Sequence, residues 1–332
     1  MPGRSVPPDP GSFNLKATRM NKSTTCIRLL ALAIPLSMTL LPDASSQMAS
    51  PEEVRYYTEE WKGERFQDGR PKVQADLLER LQKISIEEAW GVLRSKGFHN
   101  QFAGEWKMIH EDRPFVGQAL TAVYFPRRPD YSGRMLEKGH SEGMVGASNS
   151  WPIDQLQEGD VYVADCFGKV IDGTLIGDNL GNAIYSRSKT GVVFDAGVRD
   201  LEGLEEIDGF NAFVRGWDPS YLQETMLMGI NVPVRIGSAT VFPGDIVLAK
   251  REGVIFIPPQ LLGEVVITAE FIMLRDTFGH QRLKEGKYTP GQIDGSWTPE
   301  IRDDFLDWLD RHPDLLPMSR EELDEFMKDR TW

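Results

Sequence analysis

Between residues 159 and 258, short apolar β-branched runs alternate with turns built from Gly, Pro and Asp, and this rhythm limits the fold more than any other feature. The runs 161–164, 192–195, 213–215, 232–236, 239–242, 246–249 and 254–258 are rich in Val, Ile and Phe and too short for stable helices. Gly159-Asp160, residues 197–200, Pro243-Gly244-Asp245 and residues 250–253 supply the turns between them. Helical pattern is confined within it to 183–189, with Gly191 as its stop, and returns after it at 260–274. Many strands with few helices long enough for crossovers predict a mixed, layered α/β fold.

Residues 177–200 are the most informative unit in that stretch. A Gly-rich acidic turn (175–182) leads to the short helix, the helix to the strand 192–195, and the strand to a turn ending in Arg199-Asp200. Twenty residues, 179–198, separate Asp178 from Arg199. Turn, helix, strand and turn return the chain to the sheet edge it left, so Asp178, Arg199 and Asp200 meet there. Two carboxylates at one edge suit a hard divalent cation, and a guanidinium suits a substrate carboxylate. Taken alone, Arg199-Asp200 reads as a surface ion pair after a strand.

The remaining titratable residues read as structural. Asp195 is a turn-former beside Gly197, and Lys189 a solvated helix-end charge. His99, His110, His140, His280 and His312 have no metal-ligand spacing. Of these only His140, in a Gly- and Ser-rich loop at 131–150, is placed to reach a site. Trp151 reads as packing. Cys166, at the end of a strand and without a partner histidine, reads as a small buried hydrophobe.

The ends of the chain differ from its middle. Residues 1–46 read as a targeting segment, with 1–19 an over-extended start and Met20 the better opening. Lys22 and Arg28 form a basic region, 27–41 is an apolar run, and Ala44-Ser45-Ser46 is a cleavage site of small residues. A membrane span needs about 20 apolar residues; this run is shorter, so the expectation is export, to the periplasm or outside the cell, with no span in the mature chain. Of the two cysteines, Cys26 lies in the removed segment, which leaves Cys166 without an internal disulfide partner.

Residues 47–83 read as a helical extension, with Leu77, Leu78, Leu81 and Ile84 at helical spacing. Ser85 and Glu88 match a capping box, and 115–125 reads as a strand. The tail, 276–332, holds two short helices, opening at Thr298-Pro299 and at Ser319, with Trp297, Phe305 and Trp308 to pack it against the body. The net charge of −13, with no basic stripe, excludes nucleic acid as a main partner.

The ordered series of motifs resembles the RraA-like family over roughly 84–275. It comprises Gly159-Asp160-Val161 through Asp165, Gly177-Asp178-Asn179-Leu180, residues 191–200, Val232-Pro233-Val234, Pro243-Gly244-Asp245-Ile246-Val247 and residues 253–258. The resemblance implies a β/β/α layered sandwich, here with an N-terminal helical segment and a C-terminal helical tail. It also implies assembly as a homotrimer or hexamer with sites at subunit boundaries. The family has two branches. One comprises Mg²⁺- or Mn²⁺-dependent class II pyruvate aldolases. They split 4-hydroxy-4-methyl-2-oxoglutarate or 4-carboxy-4-hydroxy-2-oxoadipate and decarboxylate oxaloacetate. The other comprises non-catalytic regulators of ribonuclease E.

Asp-x20-Arg-Asp marks the aldolase branch, and Asp178, Arg199 and Asp200 reproduce it. The resemblance makes Asp200 the metal ligand and Asp178 the holder of metal-bound water. Arg199 then binds the pyruvyl carboxylate or enolate oxygen, the N–H groups at Asn179 and Leu180 sit on the carboxylate, and Gly177 completes the set that binds the small 2-oxo acid substrate. The turn Lys250-Arg251-Glu252-Gly253 departs from the acidic pattern usual there, and Glu252 and Glu270 are the candidates for a glutamate lent by a neighbouring subunit. The expected function is therefore a metal-dependent lyase. The alternatives are a binding or regulatory protein with a vestigial site, or a lyase or isomerase for a sugar-derived oxo acid.

Overall fold

In the computed structural model, which describes residues 47–328, the chain opens with α1 (Pro51–Tyr57), α2 (Ala75–Leu81) and α3 (Ile86–Ser95). The expected export segment lies outside the described residues. α1 and α3 each start on a capping box: Ser50 Oγ accepts the Glu53 N–H and Ser85 Oγ the Glu88 N–H, and each glutamate accepts the cap N–H in return. Two short strands, β1 (Phe102–Ala103) and β2 (Lys107–Met108), precede the long β3 (Phe115–Pro126).

Then come α4 (Pro129–Ser141), α5 (Trp151–Asp154), β4 (Asp160–Thr174), α6 (Asp178–Ser188), β5 (Val192–Val198), α7 (Leu201–Glu205) and β6 (Ala212–Trp217). Strands follow as β7 (Thr225–Ile230), β8 (Val234–Ile236), β9 (Ala239–Val241), β10 (Ile246–Lys250) and β11 (Gly253–Ile257). The chain ends in α8 (Leu262–Lys284), α9 (Pro290–Ile293), α10 (Pro299–Arg311) and α11 (Arg320–Met327).

The main sheet runs β1-β11-β10-β3-β4-β5-β6-β2, with β7 also paired to β3. β3, β4, β5 and β6 are parallel; the outer pairings are antiparallel. β8 and β9 form a separate hairpin. Period-two alternation divides the core between the sheet's faces. Tyr162, Ala164 and Cys166 of β4 point into a cluster with α4, α5 and α6, while Val161 and Val163 point into a cluster with Val234, Ile236, Ala239 and Val241 of the hairpin. Ile246, Leu248, Ile255 and Ile257 pack on α2, α3 and α8. Hairpin, sheet and helices thus form the expected β/β/α sandwich.

Long-range contacts hold the segment before α2. Ala49 N–H donates to the Ile230 carbonyl at 2.9 Å. Arg70, wholly buried, donates to both oxygens of Asp160 at 2.7 and 2.9 Å and to Asp68 at 2.6 Å.

Several elements differ from expectation. Residues 129–141 are helical rather than loop, because Gly139 lets α4 lie on the Trp151 ring, where a Cβ would stand 2.2 Å from the indole. α6 starts at Asp178 rather than at 183, so the acidic turn is a helix N-terminus. The strand β7 was not anticipated. α8 runs unbroken through residue 275, and its second half packs Phe271, Leu274 and Phe278 against Trp297, Phe305 and Trp308 of the tail. At Ser319 only half of a capping box forms, Ser319 Oγ accepting the Glu322 N–H. No helix among the described residues is long and apolar enough to cross a membrane.

Candidate active site

β5 ends at Val198, and the segment after β4 runs beside that end. Leu175 N–H donates to the Gly197 carbonyl and Arg199 N–H to the Ile176 carbonyl, both at 3.0 Å. This pairing sets Gly177, the cap of α6, against the side chains that follow β5. A Cβ at Gly177 would lie 2.1 Å from Asp200 Oδ2 and 3.1 Å from Arg199 Nε. Two further close approaches lock α6 to α7: Gly181 faces Leu204, and Gly203 faces Asp178, with room for no Cβ at either.

Asp200 has φ 57° and ψ 47°. This left-handed backbone costs a non-glycine residue roughly 1 kcal/mol. The twist turns the carboxylate back toward Gly177 instead of onto the first turn of α7, where it makes no capping bond. Strain of this kind persists where the surroundings over-determine it, and that is common at functional sites.

The result is a cavity of about 90 Å³ lined by Gly177, Asp178, Asn179, Leu180, Arg199 and Asp200, and closed by Asn149, Tyr221 and Leu222. All six residues singled out from the sequence therefore line one space. The last three arrive from distant loops and carry no motif. Asn149 is fixed by Nδ2 donating to the Leu175 carbonyl at 2.8 Å.

Arg199 Nε lies 3.3 Å from Asp200 Oδ2, and both side chains are about two-fifths exposed (41% and 45%). The outer guanidinium nitrogens have no partner among the described residues. At the α6 N-terminus the Asn179 N–H is taken by Asp178 Oδ1 at 2.7 Å. The Leu180 N–H, third in the helix, is one of the donors a helix cannot satisfy internally. An anion here meets a guanidinium fork, an open N–H and the positive end of an 11-residue helix.

The donor set is oxygen only. Among the described residues no group of three or more His, Cys, Asp or Glu side chains could enclose a metal. A closed zinc site is thus unsupported by this chain. Two half-exposed carboxylates do fit Mg²⁺ or Mn²⁺, which takes one or two protein carboxylates and completes its shell with water and substrate oxygens.

Other candidates are engaged elsewhere. Glu270, only 4% exposed, accepts from Arg80 at 2.9 and 2.6 Å. Glu252 is exposed in the β10–β11 turn and does not line the cavity. Asp195 lies within β5, not in a turn, and pairs with Arg215 at 2.6 Å. His140 bonds the Gly146 carbonyl and packs edge-on to Trp151, which is fully buried. Lys189 ends α6 over the Tyr185 ring. Burial pushes the Cys166 thiol up to about 12, so it is inert as a nucleophile.

A mixed sheet with helices on one face, a hairpin on the other and an Asp…Arg-Asp cavity beyond a parallel strand defines a recognisable class. The chain matches the RraA-like family, Aldolase/RraA, over residues 75–256, and it belongs to that family. Protein DlpA of Legionella pneumophila is 28% identical over 231 residues, covering 69% of this chain and 34% of that protein. A Halalkalibacterium halodurans protein provisionally named 4-hydroxy-4-methyl-2-oxoglutarate aldolase is 30% identical over 104 residues, 31% of this chain and 49% of that one. The chain thus spans between a third and a half of these two relatives. An uncharacterized Pseudomonas syringae pv. tomato protein shares the fold, with TM-score 0.56 at 22% identity over 70% of this chain and 98% of that one.

Proposed function

We propose that the chain is a divalent-metal-dependent lyase that cleaves a 4-hydroxy-2-oxo acid, of the 4-hydroxy-4-methyl-2-oxoglutarate type, to pyruvate. Decarboxylation of oxaloacetate passes through the same enolate and is the expected side activity. The supporting observation is that Asp178, Arg199 and Asp200 line one half-open cavity at a helix N-terminus.

The barrier in this reaction is negative charge developing on the 2-oxo oxygen. Mg²⁺ or Mn²⁺, held by Asp200 and through water by Asp178, would supply Lewis-acid neutralisation of that charge. Arg199 supplies the rest. Its guanidinium is always protonated, and its outer nitrogens present two donors to the substrate carboxylate or enolate oxygen. Asp200, paired to Nε, fixes the fork's direction. The Leu180 N–H and the α6 dipole favour the same anion. Asp178 Oδ2 would orient a water that takes the 4-hydroxyl proton. The small cavity holds the pyruvyl half and leaves the distal half at the rim beside Tyr221 and Leu222. A homotrimer or hexamer, with an acidic residue lent from a neighbouring copy, would complete the site.

The test is deuterium exchange into the methyl group of pyruvate in D₂O, together with pyruvate release from oxaloacetate corrected for metal-only decay. Both are expected to require Mg²⁺ or Mn²⁺ and to fall on the order of 10²-fold in Arg199→Ala. A folded protein showing neither reaction above the metal blank would sink the lyase reading and leave a binding role for the cavity.

A further inference from the structure

A second cavity lies at the opposite end of the parallel strands. Ile246 pairs with Gln118, and Gln118 with Asp160 at the start of β4, whereas Arg199 follows the end of β5. Here the residues at the end of α1 lie over the turn between β9 and β10 and enclose about 380 Å³. That is the size of a small-molecule site.

Its walls are mostly apolar, formed by Tyr57, Phe98, Phe242 and Pro258. The rings of Tyr57 and Phe242 sit 6.3 Å apart at 49°. Asp245 also lines the cavity, although only 5% exposed. Its Oδ2 accepts the Phe242 N–H at 2.8 Å. Its other oxygen has no partner among the described residues. A carboxylate in that position is costly until something pairs with it. Burial holds the carboxyl up at about 7.

The charges around the cavity narrow the occupant. Among the described residues its only charged lining groups are Asp245 and Glu60, both acidic, and Tyr57 is the other titratable group. Arg70, which donates to the Ala119 carbonyl on the neighbouring strand, is committed to Asp160 and Asp68. An anion would meet two carboxylates and no free cation. An ammonium would meet an open carboxylate oxygen and aromatic rings, whose faces attract cations.

We propose that this cavity binds an amine with an apolar body, its ammonium on Asp245 and its hydrocarbon among Tyr57, Phe98 and Phe242. The site is separate from the Asp178–Arg199–Asp200 cavity and does not depend on the lyase reading.

Calorimetric titration of the full chain with 2-phenylethylamine, 3-phenylpropionate and 2-phenylethanol tests it. The amine is expected to bind saturably, one per chain, and at least about tenfold more tightly than the acid or the alcohol. Its binding should strengthen as pH rises through about 7, as Asp245 loses its proton while the amine keeps its own. Asp245→Asn should weaken amine binding by about tenfold or more. Because that change sits in the core, Thr240→Trp, an exposed position at the cavity wall, serves as the second variant and should abolish binding with melting unchanged. No saturable amine binding, equal affinity for amine and acid, or amine binding that survives Thr240→Trp would each overturn the proposal.

Discussion

At Gly177 the site depends on an atom that is not there. The backbone, at φ −119°, is open to any residue, yet a Cβ would collide with Asp200 Oδ2 and crowd Arg199 Nε. Gly177→Ala should therefore disturb two side chains and little else. We expect pyruvate exchange to fall by about tenfold or more, the loss that follows a small misplacement of reacting groups, with the melting temperature nearly unchanged. Wild-type exchange in this variant would show that the two side chains do not need their present positions. Asp200→Asn makes the complementary test. Asn tolerates the left-handed backbone and loses no cap. Its Mn²⁺ affinity, read by electron paramagnetic resonance, should drop by more than the roughly 10–100-fold that loss of a mere supporting group causes. Asp178, Arg199 and Asp200 were legible because strand, helix and turn lie close in sequence. Asn149, Tyr221 and Leu222 were not, since they reach the cavity from remote loops. Asp245 read as a turn residue, and so it is; that the turn is buried in the fold is not visible in its own sequence.

Among the elements, the segment before α2 is clamped by an ion pair buried on both sides. Arg70→Met would leave Asp160, whose side chain is 2% exposed, without its guanidinium. Breaking one half of a buried pair costs about 3–5 kcal/mol. Adding Asp160→Asn should recover much of that loss, because an amide is neutral and its oxygen still accepts the Gln157 N–H. Urea unfolding of the two variants decides it: if the double variant is as weak as the single, the charge left behind is not the cause. The strands 161–164, 192–195, 246–249 and 254–258 were readable because β-branched runs between turns have few other solutions. α4 was not, because Gly133 and Gly139 argue against a helix until Trp151 is seen beneath one of them. β7 was missed because Thr-Met-Leu-Met-Gly-Ile shows no polar–apolar alternation.

For the whole molecule, buried carboxyls set the response to pH. Asp245 is held at about 7, far above its unfolded value near 3.9. Between those values the folded chain binds more protons than the unfolded one, so stability falls as pH rises from about 4 to about 7. Burial shifts Asp165 in the same direction. The melting temperature should decline across this window, and Asp245→Asn should flatten the decline. Parallel curves for wild type and variant would show that Asp245 does not titrate as argued. The layered architecture itself was legible from strand spacing. The way the tail attaches was not, because periodicity places the end of a helix poorly where charged and apolar residues mix.

That attachment has a mechanical consequence. α8 is one rod of 23 residues, roughly 35 Å long, clamped at its first half by the sheet and at its second by the aromatic tail. A rod has no hinge, so the tail should ride with the body as a fixed arm. Spin labels placed at Lys189 and Asp314, in a chain with Cys26→Ser, should report a single narrow distance. Cys166, buried and thiol-protonated, will not take up label. A broad or two-peaked distribution would mean that the rod bends.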